Sequence, residues 1–270
     1  MKHKIFVILT SILTSLFLLA CNQYNNQRVT NGTQQNPQEI LLLENILSKL
    51  TPAIEQALKK HEDANWNEDG QEYNLKGQNQ IFDIATYIKN GNQETQYNAA
   101  DKTSKERRRK VYLAFEYNTE YLKAFEAFTN RMQAAGNIAL YDDKVKESYS
   151  GTLAQITEYA QTCYIDIFQS LKNKRDKIKD LSPTDLINLQ TNLNEVTQAM
   201  ANIQDIVTVI KNDYNNDIKI GVNKDKAIKS QANFMELADY LYCNRISLED
   251  NFSKIKKTAP TVIHILNKTT

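Results

Sequence analysis

The stretch Pro183–Tyr214, PTDLINLQTNLNEVTQAMANIQDIVTVIKNDY, decides the fold. Its apolar residues are Leu186, Leu189, Leu193, Val196, Met200, Ile203, Val207, Ile210 and Tyr214, and the steps between them alternate three and four without a miss. Only an α-helix gathers such positions onto one stripe. Ser182 followed by Pro183 supplies an N-cap and a first helical residue that needs no N–H, and Asp185 adds an acid to the first turn. A seam this regular suits a coiled-coil dimer or one helix inside a bundle. The bundle is the preferred reading because similar seams lie on either side.

Working outward, Leu153, Ile156, Ala160, Cys163, Ile167, Leu171, Lys174 and Ile178 form a second seam. Val111, Phe115, Leu122, Phe125, Phe128 and Met132 form a third. Ile228, Met235, Ala238, Tyr242 and Phe252 form a looser one. A shorter helix is predicted around Ile81–Ile88, and Ile40, Leu43, Leu47, Leu50, Ile54 and Leu58 predict an N-terminal helix broken or kinked at Pro52. Gly70, Gly77, Gly91, Gly136 and Gly221 fall between periodic segments, whereas Gly151 falls inside one. No run alternates with period two between Asn-Gly turns, so strands are nearly excluded. The expectation is an all-α bundle of five to seven helices forming a single domain over residues 39–270.

The first 20 residues read differently. Lys2 and Lys4 precede an uncharged run from Ile5 to Leu19, the layout of a secretory signal and too short for a bilayer span. The run ends Leu18-Leu19-Ala20-Cys21. Ala20 is the small residue that a lipoprotein signal peptidase needs, and the Cys21 thiol is the group that takes the diacylglyceryl unit. Two or more acyl chains hold a protein stably on a bilayer, so the mature chain is expected to be anchored to a membrane and not to span it. From Asn22 to Gln38 ten of seventeen residues are Asn or Gln. Residues 21–38 are therefore read as a lipidated, flexible tether with a reach on the order of 20–25 Å. Loss of Lys2 and Lys4 takes 33 basic residues to 31 against 32 acidic, a net charge of −1. Such a balance argues against nucleic acid as a partner.

Catalytic and metal-binding patterns are not found. His61 and His264 lack Cys, Asp or Glu partners at ligand spacing, and there is no phosphate loop or nucleophile elbow. No enzyme activity, metal or cofactor is expected. Export makes a disulfide between Cys163 and Cys243 chemically possible, yet each is centred in a predicted helix, so two buried free thiols are the preferred reading. The sharpest anomaly is Lys105, Arg107, Arg108, Arg109 and Lys110, close behind a capping box of Thr103 and Glu106. Positive charge there opposes the helix dipole, by roughly 0.3–1 kcal/mol per group. The cluster is either a binding surface for an acidic partner or a helix end paired with loop acids such as Asp101 or Glu94. Fourteen tyrosines, many on predicted helices, fit a protein-binding patch or half-buried bundle positions.

Residues 110–128, KVYLAFEYNTEYLKAFEAF, and 163–196, CYIDIFQSLKNKRDKIKDLSPTDLINLQTNLNEV, carry a family pattern. With the lipidation signal and the Asn-, Lys- and Ile-rich composition, the chain resembles the Borrelia outer-surface lipoproteins of paralogous family fifty-four. That family includes a complement regulator-acquiring protein that binds factor H. The resemblance implies an all-α domain lipid-anchored at the cell outer membrane, which meets a host or tick protein in adhesion or complement evasion. A periplasm-facing structural or chaperone-like lipoprotein is the alternative. The best-known member dimerises and binds factor H through its C-terminal helix. This chain departs there, with an apolar tail Thr261–Leu266 after Pro260, so factor H binding is not assigned to any of its residues.

Overall fold

A computed structural model describes residues 37–89, 91–136 and 142–269. Cys21, Ala20 and the signal segment lie outside the described residues. The chain runs α1 (Pro37–Leu47), α2 (Pro52–Glu62), α3 (Ile81–Ile84), β1 (Thr86–Lys89), β2 (Gln93–Gln96), α4 (Lys102–Ala114), α5 (Thr119–Gly136) and α6 (Asp142–Ala160). It continues through a π-helix (Gln161–Gln169) into α7 (Ser170–Asn173), then α8 (Pro183–Asn215), β3 (Lys219–Ile220), β4 (Lys226–Ala227) and α9 (Phe234–Leu266). The architecture is an all-α bundle, as the seams predict. Helix α1 opens at Pro37, within the last two residues assigned to the tether.

The predicted caps form. Thr51 Oγ1 accepts from the Ile54 N–H, and Pro52 starts α2 after a clean break. Ser182 Oγ accepts from the Asp185 N–H and starts α8 at Pro183.

Helices α8 and α9, each 33 residues long, form the spine. Tyr240 donates to Asp213, Asn202 to Asn251, Thr258 to Glu195 and Lys268 to Asp185. The two residue numbers have the same total in every pair, so the helices run antiparallel without slip over nearly their whole length. Leu186, Leu189, Leu193 and Val196 are buried, whereas Met200, Ile203, Ile210 and Tyr214 are only partly covered. The seam is thus closed at one end and loosens towards the other.

Three expectations are corrected. Two small antiparallel hairpins occur, β1 with β2 and β3 with β4. The predicted helix at Ile81–Ile88 ends at Ile84, and Thr86-Tyr87-Ile88 extends into β1 with Tyr87 buried and Ile88 exposed. Gly91, at φ +90°, lies in the β1–β2 connection, where a side chain would be strained. The looser seam on α9 is shifted: Phe234, Leu237 and Ile255 face the core, and Met235 and Tyr242 are exposed. That shift also explains Cys243, which is exposed, whereas Cys163 is buried; both thiols are free.

Candidate binding groove

The basic cluster is built on α4. Its N-cap is Asp101, not Thr103: Asp101 Oδ1 accepts from the N–H groups of Thr103 (3.1 Å) and Ser104 (3.4 Å). The same carboxylate holds Lys89 at 2.9 Å and the Ser104 hydroxyl at 2.8 Å, and with these partners it stays well below the usual carboxylate range. An acid at the N-cap offsets the positive first turn.

The three arginines then diverge. Arg108 is 0% exposed and donates to Glu68 from Nε and Nη2, and to the carbonyls of Tyr97 and Ala99 from Nη1. Arg109 donates to the carbonyls of Lys60, His61 and Asp63, satisfying the C-terminal turn of α2, and lies 5.2 Å from the Trp66 ring centre. Arg107 lies 4.2 Å over the Tyr87 ring. Lys105 is exposed, and Lys110 is half-buried with its pKa lowered by burial and by Arg107.

A surface for an acidic partner therefore cannot include Arg108, and Arg109 is engaged inside the fold. The pairing acid is Glu68, remote in sequence. Asp101 and Glu94 hold Lys89 and Lys146 instead. Around these arginines Trp66, Tyr73, Phe82, Tyr97, Tyr112 and Tyr117 interlock with ring centres 5.0–6.2 Å apart. Much of the tyrosine content is core.

Between α4 and α5 the chain turns through Glu116 (φ 52°) and Tyr117 (φ 56°), two consecutive left-handed residues without a glycine. Each costs of order 1–3 kcal/mol and persists because its surroundings fix it. The Tyr117 N–H donates to the Tyr112 carbonyl, and Tyr164, carried into the core by the π-helix, donates to the Glu116 carboxylate at 3.0 Å. This joint sets the direction of α5.

Helix α5 borders an apolar groove of about 250 Å³ whose walls come from α5, α6, α8 and α9, completed by Ile81, Ala114 and Phe115. From α5 come Ala124, Phe125, Phe128 and Met132; from α8, Ile203, Val207, Ile210 and Tyr214; from α9, Leu241, Leu248 and Phe252. On α6 the lining mixes Ser148, Thr152 and Gln155, short or polar at helical spacing, with the larger Tyr149, Ile156 and Tyr159. Aromatic pairs brace the walls: Phe115 with Phe125, Phe128 with Tyr214, and Tyr159 with Phe252. Two charged groups line it. Lys211 Nζ lies 3.3 Å from the exposed Glu120 carboxylate and 4.6 Å from the Tyr121 ring centre. Glu249 is paired with Arg245 at 2.6 Å and with Gln155 at 3.0 Å.

The sequence seams name many of these residues, yet they signal core. The short or polar residues Ser148, Thr152 and Gln155 mark the groove only once α6 is set against α5, α8 and α9, and no local pattern in the sequence sets it there.

Residues 62–267 match the family model described as Borrelia Bbcrasp-1 domain containing protein. The chain belongs to this family. Solved structures of Borrelia burgdorferi outer surface proteins share the fold. The Lyme disease associated outer surface protein BBA65 superposes with a TM-score of 0.55 at 16% identity, over 84% of this chain and 99% of its own. The outer surface lipoprotein BBA64 gives 0.52 at 14%, over 87% and 100%. A C-terminal proteolytic fragment of an outer surface protein gives 0.53 at 10%, over 86% and 100%. At these identities the likeness is one of fold. No curated protein matches the sequence. Among the described residues no helix is long and apolar enough to cross a membrane.

Proposed function

We propose that this chain is a lipoprotein anchored through Cys21 to the bacterial outer membrane, displayed at the surface, and that its helical domain binds a host or tick protein without catalysis. Membership of the Borrelia family and the likeness to outer surface proteins support the location. The observation that carries the binding role is an apolar stripe on α9. Met235, Tyr242 and Ile246, spaced seven and four apart, share one helix face and are 42%, 60% and 53% exposed. Large apolar side chains aligned on a solvent face mark interaction surfaces more than singly scattered ones do. Tyrosine adds a rigid ring of the kind that anchors protein interfaces.

Two measurements test this reading. Protease added to intact cells should cut the chain, and survival of the whole population would favour a periplasm-facing structural or chaperone-like lipoprotein. Residues 37–270 used as bait in host serum and tick extract should retain a specific protein that the double variant Tyr242→Glu, Ile246→Glu loses. If the variant instead only converts a dimer to a monomer in size-exclusion chromatography, the stripe is a self-association surface.

A further inference from the structure

We infer that the groove between α5, α6, α8 and α9 is a binding site for a single-chain fatty acid, with Lys211 receiving the carboxylate. The volume sets the class of occupant. At about 250 Å³ the space exceeds an apolar cavity of about 150 Å³ that holds benzene and falls short of the roughly 300 Å³ at which drug-sized pockets begin. A partner helix, about 10 Å across, does not fit such a space, whereas one hydrocarbon chain does. From Lys211 the lining on α8 runs eight residues to Ile203, about 12 Å at 1.5 Å per residue, the reach of a medium-length saturated chain.

Charge sets the head group and its end. Lys211 stands beside Tyr121, whose hydroxyl bonds Thr208 Oγ1 at 3.0 Å, so the ammonium is braced at this place. It already holds one carboxylate, that of Glu120, and the Glu120 side chain is 80% exposed against 17% for Lys211. A ligand carboxylate can take that position while Glu120 turns into water, where an exposed ion pair has little to lose. The acid in the lining, Glu249, is neutralised by Arg245 at 2.6 Å and by Gln155 at 3.0 Å. The groove therefore has an apolar body and one lining cation whose exposed partner can turn into water, which favours an anionic amphiphile over a cationic or neutral one. This site does not share residues with the Met235–Tyr242–Ile246 stripe, so either assignment can fail alone.

The test uses the mature chain, residues 21–270 carrying Cys21→Ser, which has neither signal segment nor acyl chains and so needs no detergent. Dodecanoate is titrated by calorimetry and the stoichiometry read by native mass spectrometry, with dodecanol and dodecylamine as head-group controls. One dodecanoate should bind saturably, and Lys211→Met should weaken it at least tenfold while leaving dodecanol unchanged. Thr152→Phe, which fills the groove from α6, should abolish binding of both; its circular dichroism spectrum and melting temperature establish that it folds. Absence of saturable dodecanoate binding overturns the inference. So does dodecylamine binding as tightly as dodecanoate, or a Lys211→Met protein with unchanged affinity.

Discussion

Replacing Arg108 by methionine tests the reading of the basic cluster. Methionine keeps much of the volume and the helix propensity, so the change isolates the guanidinium. The Arg108 side chain is wholly buried, and Glu68, its partner, is 14% exposed. Removing one member of a buried pair costs about 3–5 kcal/mol, because the other charge is left without compensation. Here Lys76 Nζ at 3.6 Å and the Tyr112 hydroxyl at 3.4 Å remain beside Glu68 and soften that loss. The Tyr97 and Ala99 carbonyls lose their donor, which adds to it. The expected net loss is about 3–4 kcal/mol, or a fall in melting temperature of roughly 6–16 °C for a domain of this size. Urea unfolding followed by circular dichroism measures it, and a double-mutant cycle with Glu68→Gln should give a coupling of more than about 1 kcal/mol. Arg107→Gln, which loses the stacking on Tyr87 without leaving a buried charge unpaired, should cost less than about 1 kcal/mol. An Arg108→Met protein within 1 kcal/mol of wild type, roughly the middle of ordinary single-residue effects, would refute the structural role argued from the buried pair.

Four further outcomes are expected. Leu193→Ala, at a fully buried position of the α8 seam, should cost about 2–5 kcal/mol in the same urea assay. Gly136→Ala should cost about 1–3 kcal/mol, because a Cβ there would sit 2.5 Å from Val145 Cγ2 and 3.3 Å from the Phe234 ring, too close for either to stay in place. Burial, reinforced by Arg109, lowers His61 from 6.5 to about 4; the unfolded chain takes up the proton first, so stability present above pH 6.5 is lost as pH falls towards 4, by up to about 3 kcal/mol, and His61→Asn should flatten that part of the stability profile. Cys21→Ala should abolish incorporation of labelled palmitate while leaving the circular dichroism spectrum of the domain unchanged, and continued labelling would contradict lipidation at that residue.

Local and repetitive features of this fold were legible in the sequence, whereas long-range ones were not. The α8 seam, the Thr51-Pro52 and Ser182-Pro183 starts and the buried Cys163 all rest on spacings of a few residues, so a single chain segment carries the full signal. The hairpin at Thr86–Gln96 was missed because three β-branched or aromatic residues, Thr86, Tyr87 and Ile88, fit either a short helix or a strand, and pairing with Gln93–Gln96 decides. The π-helix has no signature in a seam whose steps still read three and four. Pairing of the cluster with a loop acid was legible, but the partner of Arg108 was not, because Glu68 is 40 residues away in a turn (Glu68–Gly70) that no helical period announces. The groove depends on the mutual placement of four helices, which one-dimensional periodicity does not encode.

The C-terminal tail shows how a departure in sequence becomes a difference in surface. Resemblance alone would make the end of the last helix an interface, yet Val262, Ile265 and Leu266 are buried in this chain's own core. Pro260 lies inside α9 without a break in the helix, although proline removes a ladder bond there. The turns after it are secured from outside: Lys174 donates to the carbonyls of Leu266 (2.8 Å) and Thr269 (3.3 Å), and Lys268 pairs with Asp185. A cation on two terminal carbonyls satisfies acceptors that the helix cannot and complements its dipole. With its last turns committed inward, α9 keeps its exposed apolar residues near its other end, at Met235, Tyr242 and Ile246. Any partner that α9 recruits must therefore approach the N-terminal half of the helix, beside the open end of the α8 seam, and not the tail.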